Sequence, residues 1–400
     1  MISVLSPRST SCRCDSSSPA CSSTTSNQSN PTPGGCRRRT PGPRSSYHSA
    51  GRLGTWRIPR RVWGDELDPW SLSVRFDRCP AVEDRPECWR FEDAGISAVM
   101  VPSAGMNLVS LEFRGAERLV LPLPLASFMK AAKTGGVPLL HPWANRLRGD
   151  RYDVGETSVD LGRIEDLKRD GNDLPMHGLV LRRAEWEVSK IETDPTGTAA
   201  ISGRMDWHVG MRDFAAFPFP HQVTVIWSLR RHQERGVAVC CRYQVDAGDR
   251  PVPTAAGWHP YLRPSIGCDR TRIRLELPPV HGTTLDSRGL PVIDDDGRPV
   301  IRSVGDPSGT LDDRHLDDLF RGPDGGWTAA VIADGVRMEL EADAGWPWLQ
   351  VYAPQDSDFA CIEPMLAPTA ALSDGHPVMV EAGGRFEASF TLRIIDGSAD

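Results

Sequence analysis

Gln222-Val223-Thr224-Val225-Ile226-Trp227-Ser228-Leu229 puts Val223, Val225, Trp227 and Leu229 on one side of an extended chain and Gln222, Thr224 and Ser228 on the other. That period-two pattern belongs to a strand with one face buried. Similar alternation recurs at Ser71–Phe76, Trp186–Ile191, Val237–Val245, Thr271–Leu277 and Phe386–Ile394. Turn-forming clusters separate the runs, among them Asp194-Pro195-Thr196-Gly197 and Asp294-Asp295-Asp296-Gly297. The best helical candidate is a short stretch, Leu125 to Lys133. Many short strands with turn punctuation predict an all-β fold, a large antiparallel β-sandwich or barrel. No internal repeat divides the body, so residues 67–400 read as one domain.

Composition narrows the function classes. The 400 residues are 39% hydrophobic and 25% charged, ordinary globular material. No run approaches the ~18 apolar residues of a membrane-spanning helix. Residues 1–64 carry ten arginines and one acid, Asp15, giving +9. The remainder carries 36 basic and 52 acidic side chains, giving −16. An acidic body is a poor electrostatic match for nucleic acid. Six of the ten cysteines (Cys79, Cys88, Cys240, Cys241, Cys268, Cys361) are scattered through the body with no C-x-x-C pair. That spacing favours neither a disulfide framework nor a zinc site and fits reduced thiols in the cytoplasm.

Residues 1–66 are different material. Ser16-Ser17-Ser18 and Arg37-Arg38-Arg39 typify a segment rich in Ser, Thr, Pro and Arg, which cannot bury enough apolar surface to offset its ordering entropy. It reads as a disordered, low-complexity extension. Its acid-poor composition resembles a transit peptide, but it lacks the apolar stretch of an export signal.

The candidate chemistry lies in polar residues beside Pro or Gly. Dinucleotide, Walker, nucleophile-elbow and zinc-protease signatures are missing. In Gly135-Gly136-Val137-Pro138-Leu139-Leu140-His141-Pro142-Trp143-Ala144-Asn145-Arg146, the Asn-Arg pair offers an amide and a planar fork of donors suited to hydroxyls. Arg146 alone would serve equally as a structural ion pair, and His141 reads as packing under the loop. His177 in Pro175-Met176-His177-Gly178 is open on its glycine side, although a lone histidine is more often structural. His259 in Trp258-His259-Pro260-Tyr261 has aromatic walls that suit a proton donor near neutrality. Asp317 in Leu316-Asp317-Asp318-Leu319-Phe320 could accept two hydrogen bonds from a diol. Gln350 in Trp348-Leu349-Gln350-Val351-Tyr352 supplies an inward amide. Glu363 stands between the apolar Phe359-Ala360-Cys361-Ile362 and the prolines of Pro364-Met365-Leu366-Ala367-Pro368-Thr369, an odd place for a carboxylate that only serves solubility.

Together and in this order, these motifs resemble the aldose 1-epimerase (galactose mutarotase-like) family, from about Leu72 to Ile395. The resemblance implies a supersandwich with a sugar cleft across one sheet. It implies interconversion of sugar anomers with no cofactor and no metal. Glu363 would be the general base, His259 the general acid and His177 an assistant near the ring oxygen. Asn145, Arg146, Asp317 and Gln350 would hold the hydroxyls. The implied partner is a small-molecule sugar, with no nucleic acid and no membrane, bound by a monomer or homodimer. Two departures leave the sugar open. His141-Pro142-Trp143-Ala144 stands where the better-known galactose enzymes carry Gly-Arg, and Ala353-Pro354-Gln355 follows the Gln350 strand. Alternatives are a hexose-phosphate 1-epimerase, for which Arg182, Arg183 and Arg263 are the nearby phosphate candidates, and a non-catalytic carbohydrate-binding protein. A lectin, however, has no need of a matched acid and base.

Overall fold

A computed structural model of the chain describes residues 75–397 apart from 84, 94, 132, 182–184, 192–198 and 233–235. Of the two units into which the chain divides, Met1–Ser46 and Tyr47–Asp400, only the second contains described residues. The extension expected over 1–66, the start of the Ser71–Phe76 run, the Asp194–Gly197 turn and the Arg182-Arg183 pair lie outside them.

Among the described residues the body is built almost wholly of antiparallel strands. The largest sheet has nine, in the order Gly309–Thr310, Arg274–Glu276, Trp327–Ala333, Val336–Ala342, Arg385–Asp396, Gly236–Ala247, His221–His232, Ala199–Trp207 and Glu187–Ile191. Its long central strands are those whose alternation is plainest. Val223, Val225, Trp227 and Leu229 are buried, as are Cys241, Tyr243 and Val245, and Ala388, Phe390, Leu392 and Ile394. Register keeps these sets on one face, because a single-residue slip would turn every apolar side chain outward.

A second, eight-stranded sheet supplies the facing layer. Its central strands are Leu316–Arg321, Trp348–Ala353 and Ala360–Met365, flanked by Gly257–Trp258 and Leu139–Leu140. Trp258 joins the layers, its ring 5.4 Å from Trp227 and 5.6 Å from Phe390 of the larger sheet. Edge-to-face contacts of this kind add about 0.5–1.5 kcal/mol beyond the area they bury. A third sheet of five strands runs in chain order from Arg75–Cys79 to Ala116–Glu117.

Two expected elements are shortened. The helical candidate at Leu125–Lys133 makes only the single α-turn Leu125–Phe128, with no side-chain cap, and Gly136 then turns the chain at a φ of 71°. The Thr271–Leu277 run begins as a 3-10 turn at Arg270–Arg272 before the strand Arg274–Glu276. There Asp269 accepts hydrogen bonds from the Thr271 amide and hydroxyl, both at 2.9 Å, a local bond that competes with strand pairing.

Candidate active site

Strand register assembles most of the site. Gln350 stands directly opposite Glu363, and Asp317 opposite Tyr352 two residues along. Alternation therefore puts Asp317, Gln350, Tyr352 and Glu363 on one face of the smaller sheet. On the other flank, Gly257 pairs with Met365 and Tyr261 with Cys361. Continued between them, that register sets His259 opposite Glu363. Pro260 has no N–H to give the ladder and breaks it there, while Trp258 is buried in the core. His259 is thus left facing the acid, with Nε2 3.2 Å from Glu363 Oε1.

Loops bring the remaining residues. The His177 amide bonds to the Asn145 carbonyl at 2.8 Å, and the Leu179 amide to the His141 carbonyl at 2.7 Å. Asn145 and His177 both hold positive φ, at 52° and 64°, strained values for residues other than glycine. Gly178 follows at φ +67°, where a Cβ would sit 2.2 Å from the His141 carbonyl oxygen. Gly178→Ala is expected to lose at least about 1–3 kcal/mol of stability as well as the His177 position. Urea denaturation of the variant measures the loss, and wild-type stability would contradict the close approach. His177 stands edge-on to His259 with ring centroids 5.3 Å apart, and Tyr261 stacks on His259 at 4.5 Å.

An arginine ties the polar half together. Arg146 donates to Asp170 at 2.7 Å, to Asn145 at 2.9 Å and to Asp317 at 3.2 Å. Asp317 also accepts from Gln350 Nε2 at 2.6 Å. The structure thus brings together all seven expected residues: Asn145, Arg146, His177, His259, Asp317, Gln350 and Glu363. Asp170 joins them without having been expected. Its other oxygen accepts from the Asn172 and Leu174 amides, each at 2.9 Å, so the Asp170-Gly171-Asn172 turn was its sequence signal. Burial opposes the charge of Asp170, but the Leu174 amide, Arg146 and the Asn172 amide outweigh it and keep the carboxyl below the usual range.

Electrostatics corrects one expectation. His259 is not near neutrality: burial brings its pKa down to about 3, with Lys168 and Arg146 adding to the effect. Burial, then the charge of Asp317, pushes Glu363 well above the usual carboxylate range, while Arg146 pulls the other way. The aromatic walls dry the site more than they tune it. Burial thus favours the uncharged form of each partner, a protonated Glu363 beside a neutral imidazole, one proton held across the contact. Such a pair titrates as a unit.

The interior polar groups are incompletely paired within the protein. Glu363 Oε2, Gln350 Oε1, His177 Nδ1 and His259 Nδ1 are buried and have no hydrogen-bond partner among the described residues. Buried polar atoms are normally satisfied, so a group of four around one acid–imidazole contact marks a place built to meet another molecule's hydroxyls. Among the described residues no cluster of His, Cys, Asp and Glu is arranged to hold a metal ion, and no helix is long and apolar enough to cross a membrane. Of the phosphate candidates, the described Arg263 lies 3.8 Å from Asp358 and donates to the Leu119 carbonyl at 3.4 Å.

Comparison with known proteins agrees with this architecture. A family model described as aldose 1-epimerase matches residues 87–393. A galactose mutarotase-like protein from Clostridium acetobutylicum is 18% identical with a TM-score of 0.66, over 81% of this chain and 99% of that one. Galactose 1-epimerase from Lactobacillus acidophilus is 15% identical with a TM-score of 0.60, over 82% and 100%. A GalM/aldose epimerase homologue from C. elegans is 15% identical with a TM-score of 0.56, over 81% and 99%. At such identities these likenesses establish the fold alone. No curated protein sequence matches the chain.

Proposed function

The chain belongs to the aldose 1-epimerase family, and from that premise we propose that it interconverts the α and β anomers of a free aldose by general acid–base ring opening. The observation that carries this reading is the His259–Glu363 contact at 3.2 Å, ringed by four buried polar atoms without a partner among the described residues. A sugar offers hydroxyls to those atoms, and mutarotation needs one base and one acid within reach of the same ring.

The steps follow from the shared proton. Transfer from Glu363 to His259 gives carboxylate and imidazolium, the working form, and the nearby Arg146 charge favours the carboxylate. Glu363 takes the proton of the C1 hydroxyl as His259 protonates the ring oxygen. The C1–O5 bond breaks, leaving an open-chain aldehyde and a C5 hydroxyl. After half a turn about C1–C2, the C5 hydroxyl attacks the other face of the carbonyl. Its proton returns to His259, and Glu363 returns a proton to the C1 oxygen. The proton count is unchanged over the cycle, so no cofactor is required. In this reading His177, its ring 5.3 Å from His259, donates to or orients the ring oxygen, and Asn145, Arg146, Asp317 and Gln350 hold the remaining hydroxyls.

The test is NMR anomer exchange across a panel of free aldoses and their phosphates. Acceleration over buffer with one or more free aldoses is expected. If the whole free-sugar panel exchanges at the buffer rate, the proposal fails. Exchange confined to the phosphates would replace it with a sugar-phosphate epimerase.

A further inference from the structure

Cys79 and Cys88 are register partners on the first two strands. The turn between them is tied by Val82 and Arg85, which exchange both backbone hydrogen bonds at 2.9 Å. Val82–Arg85 is an isolated bridge beyond the strands, and the facing of Cys79 and Cys88 stands on the strand register itself. Directly facing Cα atoms in an antiparallel ladder stand about 4.5–5.5 Å apart. That is inside the span of about 4.4–6.8 Å that a disulfide bridges.

The side chains meet the same condition. Both are buried in one apolar cluster with Val101, Ala104 and Val109, and both thiols are free in this structure. Burial, then the neighbouring Cys79, raises the Cys88 thiol to about 11, so exchange is slow at neutral pH and faster in mildly alkaline buffer. Cys240 and Cys241, by contrast, are consecutive in one strand and point to opposite faces.

We propose that Cys79 and Cys88 form a redox-active pair that closes to an intramolecular disulfide by exchange with a small disulfide of the glutathione class. One cysteine thiolate attacks a sulfur of the small disulfide, whose S–S bond breaks, and the glutathione thiolate that leaves takes up a proton. The second cysteine thiolate then attacks the protein-side sulfur of the mixed disulfide and releases the other glutathione. Two protein thiols are oxidised and one disulfide is reduced to two thiols. The bridge staples the edge strand Arg75–Cys79, whose sole strand partner among the described residues is Cys88–Asp93.

The experiment uses the full chain, equilibrated in glutathione buffers from fully reduced to fully oxidised and quenched with iodoacetamide in urea. Trypsin cuts after Arg78 and Arg90 but not after Arg85, because Pro86 follows. Both cysteines therefore leave on one peptide, residues 79–90. In the oxidised buffers that peptide is expected lighter by two hydrogens and free of alkyl groups, and dithiothreitol restores double alkylation. Cys88→Ser should instead leave Cys79 as a mixed disulfide with glutathione. A peptide doubly alkylated throughout the series overturns the proposal, as does linkage of either cysteine to Cys12, Cys14, Cys21 or Cys36.

Discussion

Glu363→Gln is expected to lower the rate of anomer exchange by about 10²–10⁴-fold, the usual contribution of one positioned base, while raising stability at pH 7. The amide matches the carboxyl in shape and can donate to the neutral His259 Nε2, but it cannot take a proton from a sugar hydroxyl. The stability gain follows from the direction in which the carboxyl is displaced. Burial and Asp317 raise the folded carboxyl well above its ordinary value, so the folded state holds its proton while the unfolded chain releases it. Stability is therefore lost as pH rises from the unfolded value through the folded one, at about 1.4 kcal/mol for each pH unit between the two. Glutamine does not carry that cost. The variant should melt higher than wild type at pH 7 and level with it below about pH 4, where the unfolded glutamate is also protonated. Rate and melting temperature together separate a catalytic carboxyl from a structural one. Activity within tenfold of wild type would remove Glu363 as the base. A lower melting temperature at pH 7 would make its burial stabilising.

The sequence was informative where one face of a strand is buried and the other wet. The central strands of the nine-stranded sheet, Gly236–Ala247 and Arg385–Asp396 among them, could be read from alternation alone. The strand that carries Glu363 could not, because all six residues of Ala360–Met365 are buried. One face meets the sandwich core and the other the site, which erases the period-two signal. The residue types of the site were legible one by one, but their convergence depends on register. Nothing in the spacing of His259 and Glu363 reveals that they are opposite until Gly257–Met365 and Tyr261–Cys361 are known to pair. Asp170 was missed because its anchoring role depends on a loop folding back onto Arg146. The protonation state of His259 was missed for a related reason: burial sets it, and burial is a property of the assembled fold.

That burial extends beyond the catalytic pair, and acid should expose its cost. His141, His177, His221 and His259 are all buried, and burial is the leading cause that lowers each. His141 and His177 go well below the ordinary value, the neighbouring His221 and His259 respectively adding to the effect. His221 falls to about 4 and His259 to about 3. A hydrogen-bond chain locks two of them neutral. His221 Nδ1 donates to the Phe219 carbonyl at 2.7 Å, leaving its Nε2 to accept from His141 Nε2 at 2.8 Å. His141 Nδ1 must then accept from the Tyr243 hydroxyl at 2.8 Å. A proton added to His221 Nε2 would set donor against donor, and one added to His141 Nδ1 would force the tyrosine hydroxyl to turn. Folded-state values are depressed, so the unfolded chain takes up protons first. Stability is full above the unfolded value of about 6.5 and falls with pH below it. Each group costs about 1.4 kcal/mol per pH unit, and four cost roughly 5. Glu363 is displaced the opposite way and returns about 1.4 of this per pH unit over its own range. The net loss, about 4 kcal/mol per pH unit, compares with a whole domain's stability of about 5–15 kcal/mol. Urea denaturation at stepwise lower pH should thus show uptake of roughly three protons on unfolding below pH 6. A slope corresponding to one proton or none would mean that these imidazoles accept protons in the folded state, against the donor–acceptor order of the His141–His221 chain for two of them.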